Sequence, residues 1–194
     1  MVVRRVGVLA LQGDVGEHVA ALESLGADVV KVRTVEQLDS VEALVLPGGE
    51  STTIAHLLTT SGLKDELGAR LKDEMPVFGT CAGLILLSDE VLDGRADQWS
   101  YGALAVAVRR NGYGRQIASF ETALDVKGLG EVPGVFIRAP KIERWTDDVE
   151  VLASLDHGDG EHPVLIRHGH VWGASFHPEL TGDSRLHGLF LDSI

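Results

Sequence analysis

The chain has 194 residues, 44% hydrophobic and 24% charged, with a formal net charge of −12. That length can bury a sizeable core and is read as one domain over residues 1–194, with the composition of an ordinary soluble globular protein. The acidic balance, with no Lys/Arg cluster beyond pairs such as Arg4-Arg5 and Arg109-Arg110, argues against a nucleic-acid or anionic-membrane surface. One cysteine excludes an internal disulfide, and no apolar run approaches a membrane span. The first residues are too weakly apolar for a signal peptide, so a cytoplasmic location is expected.

Residues 5–11 form a near-continuous apolar run, the pattern of a strand buried on both faces. After Gln12-Gly13, the stretch Asp14-Val15-Gly16-Glu17 fits a capping box with Asp14 as N-cap. Val15, Val19, Leu22 and Leu25 follow at helical spacing, and Gly26 supplies the stop. Asp28–Val32 and Ala43–Leu46 read as the next strands, with Pro47-Gly48-Gly49-Glu50 as a loop and Ser51 or Thr52 opening a helix. Leu63, Leu67 and Leu71 mark a further amphipathic helix, and a fourth strand is expected at 76–79. In the second half, residues 103–109, 120–126, 135–138, 149–155, 164–167 and 170–175 read as strands. His157-Gly158-Asp159-Gly160 is a turn signal, and residues 184–194 close the chain as a helix.

This alternation predicts an α/β fold, a flavodoxin-like three-layer sandwich around a mostly parallel sheet. In that strand order the first, third and fourth strands are neighbours. The loops at Gln12-Gly13, 47–51 and 80–82 then converge on one crevice at the strands' carboxyl ends.

The chemistry concentrates at Phe78-Gly79-Thr80-Cys81-Ala82-Gly83-Leu84, which lies between two apolar runs. A sharp strand-to-helix elbow places the Cys81 thiol at a helix N-terminus, where the dipole and free N–H groups favour thiolate and receive a developing oxyanion. Gly79 and Gly83 are expected to permit a crowded, partly positive-φ backbone. A lone cysteine is more often a small core residue, so the elbow carries the weight. Downstream, His177-Pro178-Glu179 offers a base and an orienting carboxylate, although a strand-end histidine and a solvated glutamate are the plainer reading of each alone. The loop at 47–53 lacks the lysine and glycine spacing of a phosphate-binding loop, and reads better as an oxyanion donor beside Ala82. His168-Gly169-His170 reads as a hairpin turn rather than a metal site, and Asp147-Asp148 as solvated surface.

These residues carry a resemblance. Gly79-Thr80-Cys81-Ala82-Gly83 with His177-Pro178-Glu179 resembles the class I glutamine amidotransferases. Five blocks in order are similar to the glutaminase-subunit family of pyridoxal 5′-phosphate synthase. They are Leu11-Gln12-Gly13 with Glu17-His18; residues 46–53; residues 110–116, Arg-Asn-Gly-Tyr-Gly-Arg-Gln; residues 135–140; and residues 175–181. The resemblance implies Cys81 as nucleophile with His177 and Glu179 completing a triad, and glutamine-binding positions at Gly49, Glu50, Ser51, Arg110, Ile137 and Arg138. Gly48, Gly49 and Ala82 are the expected oxyanion donors, and Arg110 or Arg138 the contact for the substrate's α-carboxylate. It further implies no cofactor and no metal. The implied partner is a (β/α)8-barrel synthase in a large hetero-oligomer, which receives the ammonia and switches on an otherwise nearly silent glutaminase. Ala105 stands where relatives often carry aspartate, and the sequence stops at Ile194 where many extend a terminal helix. Two alternatives remain: a glutaminase subunit of another amidotransferase, such as imidazole glycerol phosphate synthase, and a non-enzymatic flavodoxin-like binding module.

Overall fold

Strands that are apolar on both faces must be covered on both faces, and the alternating helices do this. The computed structural model describes residues 3–95, 98–112, 119–156, 158 and 160–194. Its first half runs β1 (Arg5–Leu9), α1 (Val15–Ser24), β2 (Asp28–Val32), α2 (Val35–Asp39), β3 (Ala43–Leu46), α3 (Ser51–Thr60), α4 (Leu63–Lys72), β4 (Val77–Thr80) and α5 (Ala82–Leu87). There follow β5 (Ser88–Val91), β6 (Leu104–Arg109), β7 (Ser119–Val126), β8 (Gly130–Ile137), β9 (Lys141–Trp145), β10 (Glu150–Asp156), β11 (Glu161–His168) and β12 (Val171–Ala174). A 3-10 turn at Pro178–Leu180 and α6 (Arg185–Leu191) complete the order.

The main sheet has seven strands in the order β10-β11-β12-β4-β3-β1-β2. The five from β12 to β2 are parallel, while β11 is antiparallel to both its neighbours. As expected, β1, β3 and β4 lie side by side. Residues alternate between two cores: Leu44, Leu46 and Val77 pack with Leu38, Ile54, Leu58 and Leu67 from α2, α3 and α4. Ala43, Val45 and Phe78 pack on the other face with Val19 and Leu22 of α1 and Leu186 and Phe190 of α6. Three layers result, with α1 and α6 sharing a face. β5, β6 and β9 form a separate small sheet, and β7 and β8 a two-stranded ribbon. Pairing of β10 with β11 is broken by register shifts around Ala153. No helix among the described residues is long and apolar enough to cross a membrane.

Some expectations change. Asp14 is the N-cap of α1 but its side chain makes no capping hydrogen bond, because the carboxylate turns towards His177 instead. A capping box does form at the start of α2, between Thr34 and Gln37. Leu25 falls outside the buried stripe of α1 and is 41% exposed. Three elements had no strong pattern in the sequence: α2, β5 and β9. In the 157–160 turn, His157 and Asp159 lie outside the described residues, while the Gly158 and Gly160 N–H groups donate to Asp156 Oδ1.

Candidate active site

At the end of β4 the chain turns into α5 through Cys81, whose φ of 48° and ψ of −102° are left-handed and strained. Such a conformation costs on the order of 1–3 kcal/mol, and surrounding contacts hold it. The Cys81 N–H donates to the Ala174 carbonyl at 2.8 Å. A Cβ on Gly83 would stand 2.2 Å from the Leu46 carbonyl oxygen, and one on Gly79 would stand 2.6 Å from the Gly83 carbonyl carbon. The two glycines therefore serve close approach, and neither has a positive φ. The strain expected of them sits on the cysteine itself.

His177 follows β12, and its N–H donates to the Val135 carbonyl of β8 at 2.8 Å. Its Nδ1 lies 2.8 Å from Glu179 Oε1 and 3.5 Å from Asp14 Oδ2. Gly48 runs against imidazole and cysteine together: a Cβ there would meet His177 Cε1 at 2.4 Å and Cys81 Cβ at 3.4 Å. Burial opposes charge on His177. Hydrogen bonding and charge from Cys81, then Glu179, outweigh it and raise the imidazole pKa to about 10. Burial also pushes the Glu179 carboxyl up, and His177 pulls it back.

A crevice of about 430 Å³ opens over Cys81 and His177, a size suited to a small ligand. Gly49, Glu50, Ser51, Arg110, Ile137 and Arg138, the six expected substrate contacts, all line it. Of the expected oxyanion donors, Gly49 lines it, Gly48 abuts the histidine, and Ala82 is buried as the first residue of α5.

The two arginines differ. Arg110 donates to Glu50 Oε1 at 2.8 Å. The other Glu50 oxygen caps α3, accepting from the Thr53 N–H at 2.7 Å and from the hydroxyls of Thr52 and Thr53. Burial works against the Glu50 charge, but these donors prevail and bring its pKa down to about 2. Arg138 has a φ of 44° and, among the described residues, makes no ion pair. Gln12 ties the loops together, its Oε1 accepting from the Glu50 N–H at 3.0 Å.

With this geometry in view, residues 8–194 match the signature of the SNO glutamine amidotransferase family. The chain belongs to that family. It is 54% identical over 192 residues to the pyridoxal 5′-phosphate synthase subunit PdxT of Nocardia farcinica, covering 97% of this chain and 85% of that one. Identity to the subunit of the same name in Mycobacteroides abscessus is 54% over 190 residues, covering 97% and 96%. A solved glutamine amidotransferase superposes with a TM-score of 0.90 at 51% identity, covering 97% of both chains. The solved structure of PurLQS from Thermotoga maritima shares the fold, with a TM-score of 0.63 at 18% identity over 99% of both chains.

Within the family frame, Ala105 lies in β6 and outside the crevice, so that departure leaves the site intact. The Arg-Asn-Gly-Tyr-Gly-Arg-Gln block is described as far as Gly112; residues 113–116 lie outside the described residues. His168-Gly169-His170 forms the β11–β12 hairpin. Among the described residues, Asp14, His177 and Glu179 are the group close enough to share an ion, but His177 and Glu179 already engage each other. Besides Asp14, which was read as a helix cap, His18 and His187, fully buried behind Glu179, escaped sequence reasoning as participants. The signal was present, since His18 adjoins the Val15-Val19-Leu22 stripe and His187 sits between Leu186 and Phe190, but it reads equally as core.

Proposed function

We propose that this protein is the glutaminase subunit of a pyridoxal 5′-phosphate synthase, hydrolysing L-glutamine to L-glutamate and ammonia for the synthase subunit. We read residues 1–194 as one glutaminase domain working in the cytoplasm. The observation that carries this is the gathering of Cys81, His177 and all six expected glutamine contacts in one crevice.

An imidazole with a pKa of about 10 is cationic at neutral pH. In this reading His177 is the base that receives the Cys81 proton. The Cys81 sulfur forms a bond to the side-chain amide carbon, and the carbonyl electrons move onto oxygen. Backbone N–H groups of Ala82 and the Gly48-Gly49 loop receive that charge. His177 then gives its proton to the nitrogen through Nε2, the ring atom that Glu179 leaves free; the C–N bond breaks and ammonia departs, leaving a thioester. Neutral His177 takes a proton from water, whose oxygen adds to the thioester carbon. Collapse releases glutamate and restores thiolate and imidazolium. Glu179 holds the tautomer and steadies the cation. Arg138, which pairs with no carboxylate among the described residues, suits the substrate's α-carboxylate better than Arg110.

Ammonia protonates in neutral water and then ceases to be a nucleophile, so its delivery requires a shielded path into a docked partner. We take that partner to be a (β/α)8-barrel protein in a large hetero-oligomer, and docking to be what activates hydrolysis. Glutamate release is measured with and without the synthase. Cys81→Ala and His177→Asn are expected to lose roughly 10³-fold or more in kcat. Turnover retained in either variant defeats the triad, and full activity without the synthase defeats the coupling.

A further inference from the structure

His177 accounts for one oxygen of Glu179. The other, Oε2, is fully enclosed and has no hydrogen-bond partner among the described residues, while His18 Nε2 stands 3.4 Å away. His18, on α1, is itself wholly buried. Its Nε2 also lies 3.1 Å from Thr80 Oγ1, one residue before the cysteine, and its Nδ1 lies 2.9 Å from Nε2 of His187 on α6. Neither imidazole reaches the crevice. Two polar rings in series inside an apolar layer cost desolvation free energy without serving the fold's packing better than leucine would.

We propose that His18 is a positioning residue for the triad, its Nε2–H bonded to Thr80 Oγ1 and set 3.4 Å from Glu179 Oε2, and its tautomer set by His187; this rests on reading Cys81, His177 and Glu179 as a triad.

The chain of hydrogen bonds has one polarity that agrees with its end. Burial lowers the pKa of both rings, His187 to about 4 and His18 well below its usual value, where His187 and His177 add to the effect, so both are neutral near pH 7. Nδ1 of His187 is enclosed without a partner among the described residues. With the His187 proton on Nε2, that ring donates to His18 Nδ1, and His18 carries its own proton on Nε2, facing Thr80 and Glu179. The reverse order turns a lone pair of His18 onto the carboxylate that must remain an anion beside His177. Around Glu179 the titratable groups are His177, which favours its charge, Asp14, which opposes it, and neutral His18 at 3.4 Å. The neutral N–H dipole 3.4 Å from Oε2 favours the ionised carboxylate and packs against it, so Oε1 stays on His177.

The test uses the complete chain docked to its synthase. His18→Leu fills similar space without a donor, and His18→Gln restores an N–H. We expect His18→Leu to lower kcat about 10- to 100-fold, the scale of outer partners that orient reactive ligands, with KM changed by less than about twofold because the crevice is untouched. The alkaline limb of the kcat/KM profile should move to lower pH as the His177 cation loses support, and His18→Gln should recover most of both. Wild-type kcat and an unmoved profile in His18→Leu overturn the proposal, as does equal loss in both variants without a pH shift. Should the leucine variant fail to fold, ¹⁵N shifts of histidine-labelled wild-type chain decide: protonated Nε2 with bare Nδ1 on His18 supports it, and the opposite tautomer sinks it. Cys81→Ala separates the levels. Turnover surviving there removes the triad itself, whereas a dead Cys81→Ala beside an unaffected His18→Leu removes this inference alone.

Discussion

Cys81 and Arg138 are two of the three non-glycine residues with positive φ among the described residues, and both line the crevice. Strain at these positions fixes where the sulfur and the guanidinium point before a ligand arrives. Arg138→Ala should therefore raise KM for glutamine about tenfold or more while leaving kcat near its original value, as expected for lost ground-state binding. Steady-state kinetics with the synthase present checks this; an unchanged KM would return the α-carboxylate to Arg110. Cys81, His177 and Glu179 were legible because each follows an apolar strand and sits in a constrained context of glycine or proline. His18 and His187 were not, since a histidine beside an apolar helical stripe has one sequence pattern whether it serves the core or a carboxylate. Asp14 was legible as a helix start but not as a neighbour of His177, because only folding brings residues 14 and 177 within 3.5 Å.

At the scale of elements, the crevice depends on how tightly three loops approach. Gly83 lets α5 sit against the end of β3, so Gly83→Ala places a methyl 2.2 Å from a backbone oxygen that cannot swing away. Destabilisation above about 3 kcal/mol is expected, read as a lowered urea midpoint. Glu50 both caps α3 and holds Arg110. Glu50→Ala should cost about 1 kcal/mol through the lost cap, and should also raise KM as Arg110 and the 48–50 backbone lose their anchor. Thermal unfolding and kinetics on the same variant separate the two effects. The parallel strands were readable from dense apolar runs such as Ala-Leu-Val-Leu at 43–46. Ser-Asp-Glu-Val in β5 and Lys-Ile-Glu-Arg-Trp in β9 carry too much charge for that signature, and the pairing of both with β6 is what orders them. The five residues of α2 are too few for a helical period to show.

For the whole molecule, buried histidines make stability depend on pH in two directions. The His177 pKa is raised to about 10, so its contribution is complete below about pH 6.5 and is lost as pH rises through 10. The His187 pKa is lowered to about 4, so its contribution holds above about 6.5 and is lost as pH falls through 4, with His18 acting in the same sense. Glu179, raised by burial, works against the acid-side loss. His177→Gln should flatten the alkaline decline, and His187→Phe the acid one, when urea midpoints are compared from pH 4 to 10. Wild-type slopes in both variants would show that other groups govern the profile. The neighbouring of β1, β3 and β4 was accessible once the alternating pattern suggested a flavodoxin-like order; the place of β10–β12 was not. Strands were expected at 120–126 and 135–138, but their pairing as a ribbon was not legible, because nothing local announces that the Val135 carbonyl will hold the backbone of His177.

The seven-stranded sheet is open, and open sheets invite other chains to stack against their rims. One rim, β10, is kinked around Ala153, and the Lys127 N–H from the β7–β8 turn already occupies the Leu152 carbonyl. The opposite rim, β2, is short and carries the exposed charges of Asp28 and Lys31. Neither offers a flat, regular template, so concentrated solutions should resist fibrillar association, and Lys31→Val is the single change that should bring light scattering up first.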